Sequence, residues 1–278
     1  MIFVTKADGR KQPFDKSKII RTCLRMHATE QQARAVANKV ESKIYDGIPT
    51  KKVLQLIFAF LKEYKPEVAH EIDLREAIGL LRPKPDFEVF VLLLLKEFGY
   101  AVAGAQLMKG KCVEHEIDAV ALKDGEVVYV EVKHHFMHHT YTGLSVFLES
   151  RAVLEDLMEG YKERVNRINF NKALVVCNTK FSEHALQYAG CRGIDYIGWR
   201  APDDQGLEWM IEEKKLYPIT ILKNLDKGVE EKLGDAGIVL LKQMVECNID
   251  ELWRKTRIPR DRLEKIVKRA GEVLKSFS

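Results

Sequence analysis

The sequence predicts a multidomain fold of α and α/β parts. A small hairpin with a helical bundle opens the chain, an α/β/α sandwich forms its centre, and an all-α portion closes it. Three observations predict this. Arg82-Pro83-Lys84-Pro85-Asp86 carries two prolines, which forbid helix continuation and favour an extended link. The charged run Glu212-Glu213-Lys214-Lys215 ends at Tyr217-Pro218 and marks a second boundary. Between these points strand-like and helix-like patterns alternate, whereas the flanking segments are dominated by helical periodicity. The expected segments are 1–84, 86–213 and 217–278.

A chain of 278 residues accommodates two or three domains, and an apolar fraction of 46% suffices for buried cores. A net charge of +4 admits a nucleic-acid partner without demanding one. The five cysteines form no C-x-x-C pair, which argues against a thiolate zinc site and a disulfide framework and fits a reducing cytoplasm. Residues Met1 to Gly9 do not read as a signal peptide. The longest apolar run, Val89 to Leu95, is too short to cross a bilayer. A cytoplasmic protein with no membrane partner is expected, and a homo-oligomer is compatible with the composition.

In the first segment, Ile2-Phe3-Val4 reads as a short strand, Asp8-Gly9 as a turn, and the residues up to Phe14 as a second strand. Asp15 is placed to cap a helix with Ile19, Ile20 and Leu24 inward. Thr29-x-x-Gln32 forms a capping box for a helix carrying Ala33, Val36, Val40 and Ile44, which stops at Asp46-Gly47. Pro49-Thr50 starts a helix with Val53, Ile57 and Leu61, and Pro66 precedes a last helix with Val68, Ile72, Ile78 and Leu81. Gly9 lets the hairpin backbone approach a ligand, and Lys6, Lys16 and Lys18 offer point charges to a triphosphate. Val4, Lys6, Gly9, Phe14, Asp15 and Lys16 resemble the opening of the ATP-cone domain, although Ala7 stands where that pattern has Arg. The resemblance implies ATP or dATP as an effector, bound around Val4, Lys6, Gly9, Lys16 and Lys18, with Arg75 as a further phosphate contact.

In the central segment, Phe87-Glu88 opens an apolar helix to Phe98, and Gly99-Tyr100 leads into a strand. Asp124-Gly125 is a strong hairpin-turn signal. With Lys123 facing Glu126, continued pairing puts Asp118 opposite Glu131 and Glu116 opposite Lys133. Ile117, Ala119 and Ala121 then share a core face with Val128, Val130 and Val132, while Glu131 and Lys133 share the polar face. Carboxylates facing each other across a sheet repel, and a divalent cation relieves that repulsion. Lys133 can orient an attacking water or steady developing negative charge. Asp118 followed by Glu131-x-Lys133 on the next strand resembles the PD-(D/E)-x-K nuclease motif, and the surroundings resemble its Mrr-type, restriction-endonuclease-like branch over roughly residues 86–200. The resemblance implies Mg²⁺ or Mn²⁺ held by Asp118 and Glu131, with Lys133 catalytic. It leaves open whether Glu88 or Glu116 supplies a further carboxylate, because Glu114-His115-Glu116-Ile117 stands where that branch has glycines.

After the hairpin, a long helix from Thr142-Gly143 to Arg164 points Leu144, Phe147, Leu148, Val153, Leu154 and Leu157 inward. A strand at 173–176, a helix from Ser182 to Ala189 and a strand at 194–198 complete the sandwich. His134, His135, His138 and His139 follow Lys133 and form a polar rim, with His134, His135 and Arg151 as candidate phosphate contacts.

The last segment holds two helix–turn–helix units, one around Asp235-Ala236-Gly237-Ile238 and one around Thr256-Arg257-Ile258-Pro259. It resembles tandem helix-hairpin-helix modules, which grip the DNA backbone. Arg257 and Arg260 are the candidate contacts in a basic tail. Together these features predict a metal-dependent endonuclease acting on DNA and regulated by ATP or dATP. The alternatives are a catalytically inactive, nucleotide-responsive DNA-binding regulator and a regulator of nucleotide metabolism.

Overall fold

The structure, a computed structural model, describes residues 2–6, 9–26, 28–64 and 72–277. The chain gathers into two compact units: Met1–Ile72 with Leu222–Asn224 and Glu264–Ser278, and Asp73–Ile221 with Leu225–Leu263. The segment 217–278 therefore contributes to both units, and the proline-flanked stretch 82–86 lies inside the second.

In the first unit, β1 (Phe3–Thr5) and β2 (Lys11–Pro13) form the expected hairpin, with Val4 opposite Gln12. The short strand β3 (Ile48–Pro49) adds in parallel on the other side of β1. Helix α1 (Lys16–Arg25) begins where Asp15 accepts a hydrogen bond from the Ser17 amide at 2.9 Å. Helix α2 (Glu30–Glu41) begins at the reciprocal Thr29/Gln32 capping box, and α3 (Thr50–Leu61) begins directly after Pro49. Val4, Ile19, Val36, Val40, Ile57 and Leu61 are buried together. Leu24, expected inward, is exposed. Cys23, one turn after Ile19, fills that position, and burial pushes its thiol up to about 11. Ala7 and Asp8 of the expected turn, and Pro66 and Val68 of the expected last helix, lie outside the described residues.

The second unit opens with α4 (Leu74–Leu80), capped by Asp73, and α5 (Glu88–Glu97) follows a wide turn at Pro83–Phe87. Next come β4 (Ala101–Ala103), β5 (Gln106–Lys109), β6 (Glu114–Ile117), β7 (Ala119–Lys123) and β8 (Glu126–Lys133). Strand β9 (Tyr141–Thr142), α6 (Leu144–Lys162), β10 (Lys172–Cys177), β11 (Lys180–Phe181), α7 (Glu183–Arg192), β12 (Asp195–Ile197) and α8 (Leu207–Lys214) follow, with β5 pairing β6 and β9 pairing β11 outside the main sheet. The main sheet has the order β12-β10-β8-β7-β4. Strand β10 runs parallel to β8 and β12, while β7 is antiparallel to both β8 and β4.

Both faces of β8 are covered. Val128 and Val130 are buried on one face. On the other, Tyr129 packs with Ala173, Val175, Phe147, Leu154 and Leu157. The expected polar face is thus polar only at the carboxyl end of the strand, at Glu131 and Lys133. Leu148 on α6, expected inward, is exposed, and Ser150 occupies the buried stripe with its hydroxyl donating to the Val146 carbonyl at 2.7 Å.

Four helices follow: α9 (Lys227–Asp235), α10 (Leu241–Glu246), α11 (Ile249–Thr256) and α12 (Arg260–Ser276). Short non-helical stretches at 236–240 and 257–259 separate α9 from α10 and α11 from α12, where the spacing predicts the two turns. Among the described residues no helix is long and apolar enough to cross a membrane.

Candidate active site

The hairpin register holds from Lys123 opposite Glu126 to Ala119 opposite Val130, where the ladder ends. Asp118 sits in a bend just beyond it, and its Oδ2 accepts the Val132 amide at 2.7 Å. The side chain thus takes the place of a ladder partner, and the expected facing of Asp118 and Glu131 backbones is not formed. The expected pairing of Glu116 with Lys133 is also absent. Glu116 belongs to β6, which pairs with β5, so Glu116 faces Leu107. A second, unforeseen hairpin has drawn these residues away from β8.

Even so, Asp118, Glu131 and Lys133 converge at the carboxyl end of β8. Lys133 Nζ lies 2.8 Å from Glu131 Oε1, and the Tyr129 hydroxyl donates to Glu131 Oε2. The Glu131 head group is therefore held from both sides. Burial works against the charged form of Lys133, but Glu131 beside it outweighs that and keeps the ammonium favoured. Burial raises the Asp118 carboxyl above its ordinary range; Glu131 adds to the rise, and the Val132 amide opposes it. Glu88, on the first turn of α5, is raised for the same leading reason, with Asp118 a further contributor. Glu88 thus joins the site as a half-buried carboxylate.

Lys84, which the sequence placed in a linker, lies among these acids. Its Nζ is 2.7 Å from Glu116, 3.2 Å from Glu88 and 3.6 Å from Asp118 Oδ1. Glu116 is exposed and held below the ordinary carboxylate range by Lys84. Two features escaped sequence reasoning: Lys84, hidden in a proline-rich boundary, and Tyr129, which alternation along β8 puts on the face of Glu131 and Lys133.

Among the described residues no three His, Cys, Asp or Glu side chains form a ready metal cage. The donors present are Asp118 and Glu131, all oxygen, next to an ammonium that stands in for a cation. That set suits a hard divalent ion that takes one or two carboxylates and completes its shell with water and phosphate oxygens.

The histidines after β8 have partners within the protein. His134 Nε2 lies 3.1 Å from the Ile78 carbonyl on α4, and its ring packs 5.0 Å from that of Phe87. The His135 amide and carbonyl are both bonded to the Asn178 side chain at 2.8 Å, and its Nε2 lies 3.0 Å from Thr142 Oγ1. Burial lowers both imidazoles and favours their neutral forms. His134 and His135 therefore brace the site more than they meet phosphate. Arg151 pairs with Glu155 at 2.7 Å on the surface of α6.

At the N-terminal hairpin, the Gly9 amide donates to the Lys6 carbonyl at 3.0 Å, with Gly9 at φ +83°. Val4 is a buried anchor. Lys16 is paired with Glu41 at 2.5 Å, whereas Lys18 reaches back to Gln12 at 3.4 Å, beside the hairpin. In the C-terminal helices, Arg257 and Arg260 flank the Trp253 ring at 5.4 and 4.9 Å, and Arg260 also meets Asp250 at 3.0 Å.

Comparison with known proteins divides along these lines. A family model described as the ATP cone domain matches residues 2–76, and one described as AF1548-like, C-terminal, matches residues 217–274. An uncharacterized protein of Archaeoglobus fulgidus is 36% identical over 181 residues, covering 65% of this chain and 98% of that protein. A solved structure titled as a protein of unknown function, AF1548, is 35% identical with a TM-score of 0.59, covering 68% of this chain and 96% of that one.

Proposed function

The chain belongs to the AF1548-like family and carries an ATP cone, a nucleotide-binding regulatory domain, at its N-terminal end; from there we propose that it is a metal-dependent endonuclease whose activity answers to adenine nucleotides. The observation that supports this most is the meeting of Asp118, Glu131 and Lys133 at the carboxyl end of β8. In the sheet around them β4, β7 and β8 pair antiparallel and β8, β10 and β12 run parallel, with α6 crossing between β8 and β10. That arrangement supports a restriction-endonuclease-like domain, and carboxyl ends of parallel strands are where open α/β sheets bind their ligands.

Asp118 and Glu131 would hold Mg²⁺ or Mn²⁺. Such an ion acidifies a bound water and offsets charge on a phosphodiester oxygen. Lys133, fixed by Glu131, presents an ammonium to the negative charge that develops as water attacks phosphorus. Tyr129 holds the Glu131 rotamer, and the Val132 amide holds that of Asp118. Arg257 and Arg260 supply backbone contacts to DNA in the manner of helix-hairpin-helix modules.

The test is nicking of supercoiled plasmid with and without Mg²⁺ or Mn²⁺. Asp118→Ala and Glu131→Ala are each expected to lower the rate by at least about 100-fold while the circular dichroism spectrum is unchanged. Wild-type rates in both variants would sink the proposal. Metal-independent DNA binding without cleavage would favour the nucleotide-responsive regulator instead.

A further inference from the structure

We propose that Lys84 is the internal cation of this site, holding Glu88, Glu116 and Asp118 together in the metal-free protein and competing with a divalent ion for Asp118. The inference rests on the metal-dependent reading above and adds to it a residue that sets how tightly the ion is held.

The geometry points to competition more than to simple bracing. The Lys84 ammonium touches carboxylates from three places in the chain: the start of α5, strand β6 and the bend before β7. It approaches Asp118 through Oδ1, the oxygen left over once Oδ2 has accepted the Val132 amide. An ion bound to Asp118 would use that same oxygen. Like charges this close repel, so an ammonium and a dication cannot both sit there without mutual cost. Glu88, Glu116, Asp118 and Glu131 face Lys84 and Lys133, an excess of negative charge that a divalent ion would balance.

The backbone lets Lys84 act as a tethered head group. Its neighbours Pro83 and Pro85 restrict the chain. Arg82 and Asp86, two residues to either side, are locked by a two-pronged ion pair at 2.7 Å. The Lys84 side chain itself is 57% exposed, so its ammonium can swing into solvent without moving the turn.

The experiment is isothermal titration of the full-length protein with Mn²⁺, checked by the Mn²⁺-induced shift in melting temperature. Lys84→Met is expected to bind Mn²⁺ at least tenfold more tightly than wild type. Lys84→Arg, which keeps the charge, is expected to stay near wild type. Lys84→Gln provides a second neutral variant should Lys84→Met fold poorly. The gain should vanish when Asp118→Asn is added. If wild type binds Mn²⁺ and both neutral variants bind equally or more weakly, the inference fails while the metal reading survives. Tighter binding that persists with Asp118→Asn would also overturn it, because the ion would then sit elsewhere. Absence of Mn²⁺ binding in wild type and in every variant would remove both.

Discussion

Asp156 on α6 illustrates how one carboxylate can fasten an element without being part of a catalytic set. It accepts the Cys112 amide at 2.8 Å, the Val113 amide at 3.3 Å and His115 Nε2 at 2.7 Å. Burial alone would raise its carboxyl, but these donors outweigh burial and bring it to about 2. A depressed carboxyl contributes stability in full above its unfolded value and loses it as the pH falls toward the folded one. The contribution should therefore fade between about pH 4 and about pH 2. Urea melts of Asp156→Asn should lie below wild type at pH 6 and converge with it near pH 2. A constant gap across that range would mean the carboxylate charge is irrelevant. The surroundings allow no other residue at Gly110, where a Cβ would collide with the Asp156 carboxylate. At this scale the sequence was informative where chemistry is local. The Asp15 cap and the Thr29/Gln32 box formed as the spacing predicts, because each involves residues within three positions. Lys84 was not legible, since its partners come from 4 to 34 positions away and only tertiary structure brings them near.

Among elements, the β7–β8 hairpin was readable from its turn. Asp124 and Gly125 both have positive φ, 52° and 81°, which this turn type requires and these residues tolerate. The register was lost at Asp118 because a competing hairpin, β5–β6, claimed the residues upstream. Strand-pairing rules fix a register only as far as the ladder runs. A comparable long-range tie holds the turn before α5 against α9. Arg82 donates to both oxygens of the buried Asp86 and reaches Asp235 at 2.8 Å. Arg82→Ala would leave Asp86 buried and uncompensated, so a loss of about 3 kcal/mol is expected in chemical denaturation. Gly234 belongs to the same joint, since a Cβ there would strike the Asp86 carboxylate. A loss below about 0.5 kcal/mol for Arg82→Ala would assign the pair to the weak surface class.

For the molecule as a whole, the central expectation is coupling between a nucleotide and the second unit. A ligand that binds only the folded state stabilises it by about 2.7 kcal/mol at 100 times its Kd. ATP or dATP should accordingly raise the melting temperature of the full-length protein, and Lys6→Ala should remove most of that shift. No shift for either nucleotide at millimolar concentration would leave the cone a structural part. Regulation further requires that nucleotide bind two states of the protein unequally. The multidomain α/β character was legible from periodicity, whereas the prolines mark a turn inside the second unit. The limits of the compact units were not, because α4 is too short for its periodicity to declare which core it joins.

That helix has a consequence for how the protein can be taken apart. The stretch matching the ATP cone ends at residue 76, inside α4, yet α4 counts with the second unit. The Ile78 carbonyl meets His134, and the Ala77 carbonyl accepts the Thr220 hydroxyl at 2.6 Å. A cut at residue 84, where the sequence suggests a boundary, would strip the second unit of a strut directly behind Lys133. A fragment meant to be exchanged, fused or expressed alone should therefore begin no later than Asp73, so that the cap stays with its helix.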